Sequence, residues 1–233
     1  GKHPTWHASV ETLPEDKPLI ILANEFFDAL PVRQFQQREG QWRERLVGIG
    51  PEGNLILGLD RNIATGLTLE ASENSVFETS PVSLDIMRRL AERLAAQRGL
   101  MIAIDYGYAQ FAFGETVQAV RKHKFAPVFD NPGEADITAH VDFSSLAIAA
   151  KRGGGRVHPI LTQATMLDRL GIRHRAEILK RKAEDPADVD AAVERLAGTA
   201  PQSMGQLFKA LAVTSPDLGP PPGFDTPDPT LAS

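Results

Sequence analysis

The first clear pattern in the chain is an uninterrupted apolar run, residues 19–23, that is followed directly by polar side chains. An apolar run without alternation is typical of a parallel strand that is buried on both faces. In open α/β sheets, ligands bind beyond the carboxyl ends of such strands. We therefore expect Asn24, Glu25 and Asp28 to lie where chemistry takes place, although a strand followed by an ordinary helix cap would give the same local pattern.

A helix and a second apolar strand follow further along the chain. Ser80 and Pro81 predict the start of the helix, because serine caps helices well and proline suits the first helical position. Apolar residues then recur every four positions, at Val82, Ile86, Leu90 and Leu94. Gly99 closes the helix, and the strand over residues 100–104 comes directly after it. This strand, helix and strand order is that of a doubly wound sheet.

The second strand ends in Asp105 and Tyr106, so two strand ends present acids. If the two strands are neighbours, we expect Glu25, Asp28 and Asp105 to lie together at one end of the sheet.

Shorter elements fill the rest of the chain. Three segments within residues 32–60, separated by turn signals, predict an antiparallel β insertion. The polar segment 108–143 predicts a lid or substrate loop, with a solvated excursion as the alternative. Residues 206–213 predict a closing strand, for which a short helix is the alternative, and the proline-rich tail 214–233 is predicted to be disordered. Predicted helices cover residues 143–151, 162–170, 173–182 and 186–198.

Composition narrows the function classes. The chain has 233 residues, a formal net charge of -5 and no cysteine. Disulfides, thiolate nucleophiles and cysteine-ligated zinc are therefore excluded, and no basic surface for nucleic acid is expected. No apolar run approaches the roughly 20 residues that span a bilayer, so we expect no membrane span.

A metal site is one interpretation of the spacing of Asp136, His140 and Asp142, since imidazole and carboxylate groups are common ligands. Such polar residues more often cap helices and order loops by hydrogen bonding. We therefore predict no metal.

Three segments of the sequence resemble the signature motifs of one family. They are NEFFDALPV over residues 24–32, IDYG over residues 104–107 and NPGEADITAHVDF over residues 131–143. The chain resembles the S-adenosylmethionine-dependent methyltransferases of the MidA family, whose mitochondrial relatives are complex I assembly factors, over about residues 6–213.

The resemblance implies a class I methyltransferase-like, Rossmann-like α/β fold over residues 1–213, with a mostly parallel sheet that is incomplete at the N-terminus, the antiparallel insertion and a helical C-terminal part. It implies S-adenosylmethionine as the cofactor, with Asn24 and Glu25 as contacts. It also implies a protein substrate, arginine being our first choice, which could be a respiratory complex I subunit, and it leaves a homodimer open. We expect a cytoplasmic location for a bacterial protein and the mitochondrial matrix for a eukaryotic one.

The resemblance also assigns residues to the acceptor side of the site. The substrate-binding residues implied in this way are His123, Asp136, Thr138, His140 and Asp142. From their positions in the sequence we add Asp105, Tyr106 and Arg121 as substrate-binding candidates. For catalysis we select Glu25, Asp28 and Asn24. Carboxylates can grip a guanidinium in bidentate fashion, and an amide can donate and accept at once.

One family feature is missing from this sequence. Family members carry a glycine-rich loop after their first strand, whereas the only glycine before residue 19 is Gly1. The run Gly153-Gly154-Gly155 follows a predicted helix, so we interpret it as a helix C-terminus and turn. The absence of the loop also disfavours a nicotinamide-dependent dehydrogenase. A non-catalytic assembly or chaperone module that holds a respiratory-complex subunit remains the alternative function.

Overall fold

Two compact units make up the computed structural model, which describes residues 3–231. Unit 1 contains the described residues up to Phe26, Leu84–Gln110 and the described residues from Val141 onwards. Unit 2 contains Phe27–Ser83 and Phe111–His140. Unit 2 is thus inserted into unit 1 at two places in the sequence.

The strands are numbered in chain order. They are β1 Leu19–Asn24, β2 Arg33–Arg38, β3 Gln41–Ile49, β4 Leu55–Leu59, β5 Val76–Thr79, β6 Gly99–Tyr108, β7 Gln118–Arg121, β8 Lys124–Ala126, β9 Asp136–Thr138, β10 Val141–Asp142, β11 Arg156–Val157, β12 Leu161–Thr162 and β13 Phe208–Thr214.

The helices are numbered in the same way. They are α1 Pro81–Gln97, α2 Phe143–Arg152, α3 Gln163–Arg169, α4 Ile172–Lys180, α5 Pro186–Ala197 and α6 Met204–Leu207. A 3₁₀ turn at Val10–Thr12 precedes β1.

Unit 1 is built on a six-stranded sheet whose main order is β1-β6-β13-β11. The predicted neighbours β1 and β6 are paired in parallel, with Asn24 opposite Ile104, and β10 also runs parallel to β6. The strand β13 lies antiparallel to β6, and β11 and β12 lie antiparallel to β13. The sheet is therefore mixed, which corrects the expectation of a mostly parallel one.

The strand β1 lies at the end of the sheet and has β6 as its one neighbour among the described strands. Its side chains alternate in burial, and Ile20 and Leu22 are 87% and 70% exposed. The prediction that this run is buried on both faces is therefore wrong within residues 3–231. An apolar run indicates that a strand prefers burial, but it does not show which elements pack against the strand.

Helix α1 forms where it was predicted, with Ser80 Oγ accepting the Ser83 N–H at 3.2 Å. Its buried stripe contains Met87, Leu90, Ala91 and Leu94, whereas the predicted Val82 is 42% exposed. The glycine run is a helix end, as interpreted, because Gly153 is the C-cap of α2. A Cβ on Gly153 would collide with the Arg88 carbonyl oxygen of α1, so close packing requires glycine there.

Up to residue 231, the C-terminal tail packs against β12, β13 and α3, which differs from the predicted disorder. Phe224 is 1% exposed and joins a cluster with Leu161, Met166, Ala210 and Ala212. The carboxylate of Asp228 accepts the Thr162 N–H at 2.6 Å. One buried phenyl ring contributes about 2 kcal/mol of burial free energy, a local contribution that composition alone does not reveal.

Unit 2 contains two antiparallel sheets. The predicted meander is a four-stranded sheet of order β4-β3-β2-β5, which extends the insertion to include β5. The segment predicted as a loop holds a three-stranded sheet of order β8-β7-β9. The turn of its hairpin is formed by Lys122 and His123, at φ 50° and 62°, and lacks the glycine or asparagine that would have indicated it.

Candidate functional site

The carboxyl end of β1 lies beside Ile104 in unit 1, and β6 continues past this point to Tyr108, beyond the predicted end of the strand at residue 104. The Glu25 N–H donates to the Ile104 carbonyl oxygen at 3.0 Å, which continues the parallel ladder one residue beyond β1. Asn24 and Glu25 therefore lie next to the part of β6 that carries Asp105. This is the position at which open α/β sheets bind ligands.

Glu25 has an unusual backbone conformation at this point. Its φ is 47°, in the left-handed region that residues with a side chain rarely adopt. The residue is exposed, and Asn24 Nδ2 donates to Glu25 Oε1 at 3.2 Å. A strained residue held by specific hydrogen bonds at a strand end is a common feature of functional sites.

Asp105 is buried, in contrast to Glu25. It is 0% exposed, and its Oδ1 accepts the Tyr106 N–H at 3.0 Å. Tyr106 packs edge to face against Phe208, with ring centroids 5.5 Å apart. Asp105 thus follows Ile104, the partner of Asn24, but is buried, whereas Glu25 is exposed. The predicted role of Asp105 in substrate binding stays a prediction.

A groove of about 630 Å³ runs along β1 within unit 1. Its apolar walls come from β1, from α1 and from the segment around Val10, and the Asn24 amide lies on its lining. Arg89 of α1 pairs with Glu11 and, through Nε, with Asp85 Oδ2 at 2.8 Å. Hydrogen bonds from the Glu11 backbone, Ser9 and Arg89 lower the pKa of Glu11 to about 2. Sequence reasoning missed this groove, because the segment before β1 has no apolar period.

Asp28 and Thr138 lie together in unit 2. Asp28 is 5% exposed, and its carbonyl oxygen accepts the Ala139 N–H at 3.0 Å, which ties the loop after Phe27 to the end of β9. Both residues line a cleft of about 540 Å³, which we call the unit 2 cleft. Its lining residues are Asp28–Val32, Gln34, Arg45, Val47, Leu55, Leu57, Glu115, Val117, Val128, Phe129, Pro132 and Ile137–Ala139.

Three other predicted residues belong to the small sheet of unit 2. Arg121 Nη1 pairs with Glu134 Oε2 at 3.1 Å, and Arg121 and Asp136 line a shallow polar hollow of about 460 Å³. His123 is exposed at the tip of the β7–β8 hairpin and does not line this hollow. Their predicted roles in substrate binding stay predictions.

His140 and Asp142 have identifiable local bonds. The His140 N–H donates to Thr116 Oγ1 at 2.9 Å within unit 2. Asp142 is the N-cap of α2 and accepts the Ser145 N–H at 3.0 Å. Among residues 3–231, no three histidine, aspartate or glutamate side chains come together in a group that could hold a metal ion.

Two placements of charged residues could not have been found from the sequence. In unit 2, Arg45 Nη1 lies 2.8 Å from Glu115 Oε1, although β3 and the segment before β7 are far apart along the chain. In unit 1, Lys209 lies opposite Asp105 in the β13–β6 register. Burial lowers the pKa of Lys209, and its Nζ donates to the Gln206 carbonyl oxygen at 2.6 Å. Only the pairing register connects such residues.

No helix within the part of the chain that the structure describes is long and apolar enough to cross a membrane.

Comparisons with known proteins indicate the family to which this chain belongs. Residues 1–160 match the model of a family described as "Putative S-adenosyl-L-methionine-dependent methyltransferase". The protein arginine methyltransferase NDUFAF7 of Danio rerio is 32% identical over 218 residues, which cover 89% of this chain and 50% of that protein. The NDUFAF7 homologue of Caenorhabditis elegans is 31% identical, with the same coverage. This chain thus spans about half the length of the curated relatives that it matches.

Two solved structures from Burkholderia thailandensis have the same fold. One superposes with a TM-score of 0.76 at 28% identity and covers 94% of this chain and 59% of its own. The other, bound to S-adenosyl-homocysteine, has a TM-score of 0.74 at 27% identity and covers 94% of this chain and 57% of its own. These matches confirm the class I methyltransferase-like fold class and the resemblance carried by the three motifs. The chain therefore belongs to the family of S-adenosyl-L-methionine-dependent methyltransferases that its first 160 residues match.

Proposed function

We propose that this chain forms part of an S-adenosylmethionine-dependent methyltransferase that modifies an arginine side chain of a protein. The observation that carries the proposal is the parallel pairing of β1 and β6, which brings Asn24 and the strained Glu25 to the carboxyl end of the sheet. The names of the relatives and the S-adenosyl-homocysteine in one structural neighbour support the reaction class.

The residues at this end of unit 1 fit part of the cofactor. The groove along β1 offers an apolar wall with the Asn24 amide beside it, which suits a flat ring system with polar edge atoms. The bound cofactor would supply a methyl group on a cationic sulfonium. No glycine-rich turn precedes β1 in this sequence, so we expect the closest backbone contacts to come from further polypeptide of a longer protein, and weak binding by this chain alone.

The proposed work of the side chains is to position the acceptor. The exposed Glu25 carboxylate can accept two N–H bonds from a guanidinium, and Asn24 orients that carboxylate through its amide. Asp28 is proposed as a second acid for the acceptor. The buried Asp105 is proposed as a positioning residue that fixes the backbone of β6 through the Tyr106 N–H. A displacement at a methyl group needs alignment and exclusion of water more than acid–base groups.

The first test is methyl transfer by the full-length protein that contains this chain. We expect Glu25→Gln to reduce the transfer of labelled methyl from S-adenosylmethionine to arginine peptides by a factor of at least about 100, since the gripping charge is lost while the shape is kept. The matched control is Glu52→Gln, an exposed acid in the β3–β4 turn. Full activity of Glu25→Gln, or absence of S-adenosylmethionine binding by calorimetry in the full-length protein, would contradict the proposal.

The partner and location are also proposals. The names of the vertebrate relatives place those proteins in mitochondria, so we propose the mitochondrial matrix for a eukaryotic protein of this kind and the cytoplasm for a bacterial one. A respiratory complex I subunit is the proposed substrate by family resemblance, and a homodimer is left to measurement of mass in solution.

A second candidate function is a non-catalytic assembly module. It is favoured by the apolar side chains that the β3–β4 hairpin exposes, with Val47 and Ile49 at 56% and 78% exposure. An assembly module would bind its partner without S-adenosylmethionine binding and without any effect of Glu25→Gln. The calorimetric titration above therefore separates the two functions.

A further inference from the structure

The unit 2 cleft has one apolar side that is built by the β3–β4 hairpin. Val47 is the cross-strand partner of Leu57, and Ile49 is the partner of Leu55, so these four side chains project from one face of the hairpin. Val47, Leu55 and Leu57 line the cleft, and Val47 and Leu55 are 56% and 36% exposed. Exposed apolar side chains that are grouped on one face are typical of a surface that binds another molecule.

The other side of the cleft carries charge. Arg45 precedes Val47 on the same face of β3, and its side chain is 14% exposed and paired with Glu115 at 2.8 Å. Asp28 also lines the cleft and is 5% exposed. The charged residues of the lining are thus one guanidinium and two carboxylates, and the cleft has an excess of one negative charge.

From these two features we propose that the unit 2 cleft binds a protein segment in which an arginine is flanked by apolar residues. The basic group takes its place beside Glu115, and the flanking side chains cover Val47, Leu55 and Leu57. Glu115, at 54% side-chain exposure, is open to a second partner, and the excess negative charge of the lining favours a cation. The proposal rests on the proposed function in that the segment belongs to the methyl-accepting protein, and its basic residue in the cleft is not the arginine that Glu25 is proposed to bind.

A protein segment fits this cleft better than a small cation does. The apolar surface continues along the hairpin to Ile49, which is 78% exposed and lies beyond the lining of the cleft. A small polar cation would satisfy the carboxylates and leave this surface in water, whereas an extended peptide covers both.

The test measures peptide binding without cofactor. The probes are the peptide Ac-GLVRLVG-NH₂ and the same peptide with citrulline, which is neutral and nearly isosteric, in place of arginine. Calorimetry on the full chain should give at least about tenfold tighter binding of the arginine peptide, since the donor to the carboxylate loses its positive charge with citrulline and the hydrogen bond becomes weaker. Glu115→Gln should remove most of that difference.

Matched variants locate the binding surface. Val47→Ser should weaken both peptides several-fold, whereas Leu46→Ser, the exposed neighbour on the opposite face of β3, should leave both unchanged. Equal melting temperatures of the two variants and the parent chain exclude unfolding as the cause. Equal binding of the two peptides, no binding of either, tighter binding of an acidic peptide, or equal effects of Val47→Ser and Leu46→Ser would each overturn the proposal.

Failure here is distinguishable from failure of the proposed function. If the full-length Val47→Ser and Glu115→Gln variants methylate arginine peptides with unchanged KM, methyl transfer stands and the cleft does not bind the methyl-accepting protein. If peptides bind in the cleft and no methyl is transferred, the cleft stands and the enzyme assignment falls.

Discussion

Glu25 combines a functional side chain with an unfavourable backbone conformation. An L-residue at φ 47° costs about 1 kcal/mol or more relative to glycine, and the Asn24 amide and the Ile104 carbonyl oxygen hold it there. A carboxylate at this position is therefore retained at the expense of stability. Such a loss of stability is expected where the function of the side chain outweighs the cost of its backbone conformation.

The strain at this residue is testable by its removal. We expect Glu25→Gly to raise the free energy of unfolding by up to about 1 kcal/mol, because glycine adopts positive φ freely. Glu25→Gln keeps the strain and should leave the melting temperature unchanged. Thermal unfolding followed by circular dichroism compares the two, and a destabilised Glu25→Gly would show that the conformation is not strained.

Asp228 makes stability depend on pH in the acid range. Burial opposes its ionisation, but hydrogen bonds from Thr162, Thr230 and Thr165 outweigh burial and lower the pKa from 3.8 to about 2. Because the folded pKa is the lower one, the contribution is complete above about pH 4 and is lost as the pH falls to about 2.

We expect Asp228→Asn to flatten the fall in stability between pH 4 and 2 and to lower the free energy of unfolding at pH 7 by about 1–3 kcal/mol. Urea unfolding at a series of pH values measures both effects. Asp225→Asn, an exposed acid nearby in the tail, is the control and should change neither. An unchanged pH profile for Asp228→Asn would mean that the tail is not fixed through this carboxylate.

At the scale of elements, local patterns predicted those strands and helices whose signals are local. The cap at Ser80, the proline at position 81 and the four-residue period identified α1, and turn residues identified the β3–β4 hairpin. The small sheet β8-β7-β9 was missed because Lys122 and His123 are not residue types that predict a turn. The predicted burial of β1 on both faces was wrong because hydrophobic periodicity does not show which elements pack against a strand.

The β7–β8 turn gives the prediction at this scale. Both of its central residues have positive φ, as type I′ hairpin turns require, and glycine is favoured there. His123→Gly should raise the free energy of unfolding by about 0.5–1 kcal/mol. His123→Ala, measured in the same denaturant titration, removes the imidazole without relieving the backbone and should bring no such gain. A loss of stability with glycine would argue against this turn type.

Only the part of the candidate site that directly follows a strand in the sequence could be predicted. Asn24 and Glu25 lie at the predicted end of β1, because the strand and its exit are contiguous in sequence. The burial of Asp105 depends on the layer that covers β6, and the pairing of Arg45 with Glu115 depends on the path of unit 2. Neither property is encoded within a short window.

At the scale of the whole molecule, β1 is the strand of unit 1 whose apolar side chains most need a further covering layer. Ile20 and Leu22 are exposed in a strand type that is ordinarily covered, and an uncovered strand favours association with other chains. Because the chain spans about half the length of its relatives, we expect further polypeptide of a longer protein to cover this strand.

Leu22→Lys tests that expectation with two opposite outcomes. In this chain alone it should reduce self-association, measured by light scattering, without lowering the melting temperature. In a full-length protein that contains this chain it should lower the melting temperature by several degrees, because a buried leucine would be lost. Ile148→Lys, at a 51% exposed position on α2, is the control in both proteins. Equal effects of the two substitutions would refute a covered β1.

The interleaving of the two units in sequence has a consequence for synthesis on the ribosome. All of unit 2 has been translated once residue 140 has emerged, whereas β13, the antiparallel neighbour of β6, spans Phe208–Thr214. Unit 2 can therefore fold while one edge of β6 is still unpaired, and that edge stays unpaired until residues 208–214 have been translated. Slow translation or a chaperone that holds β6 during this interval would raise the yield of folded protein.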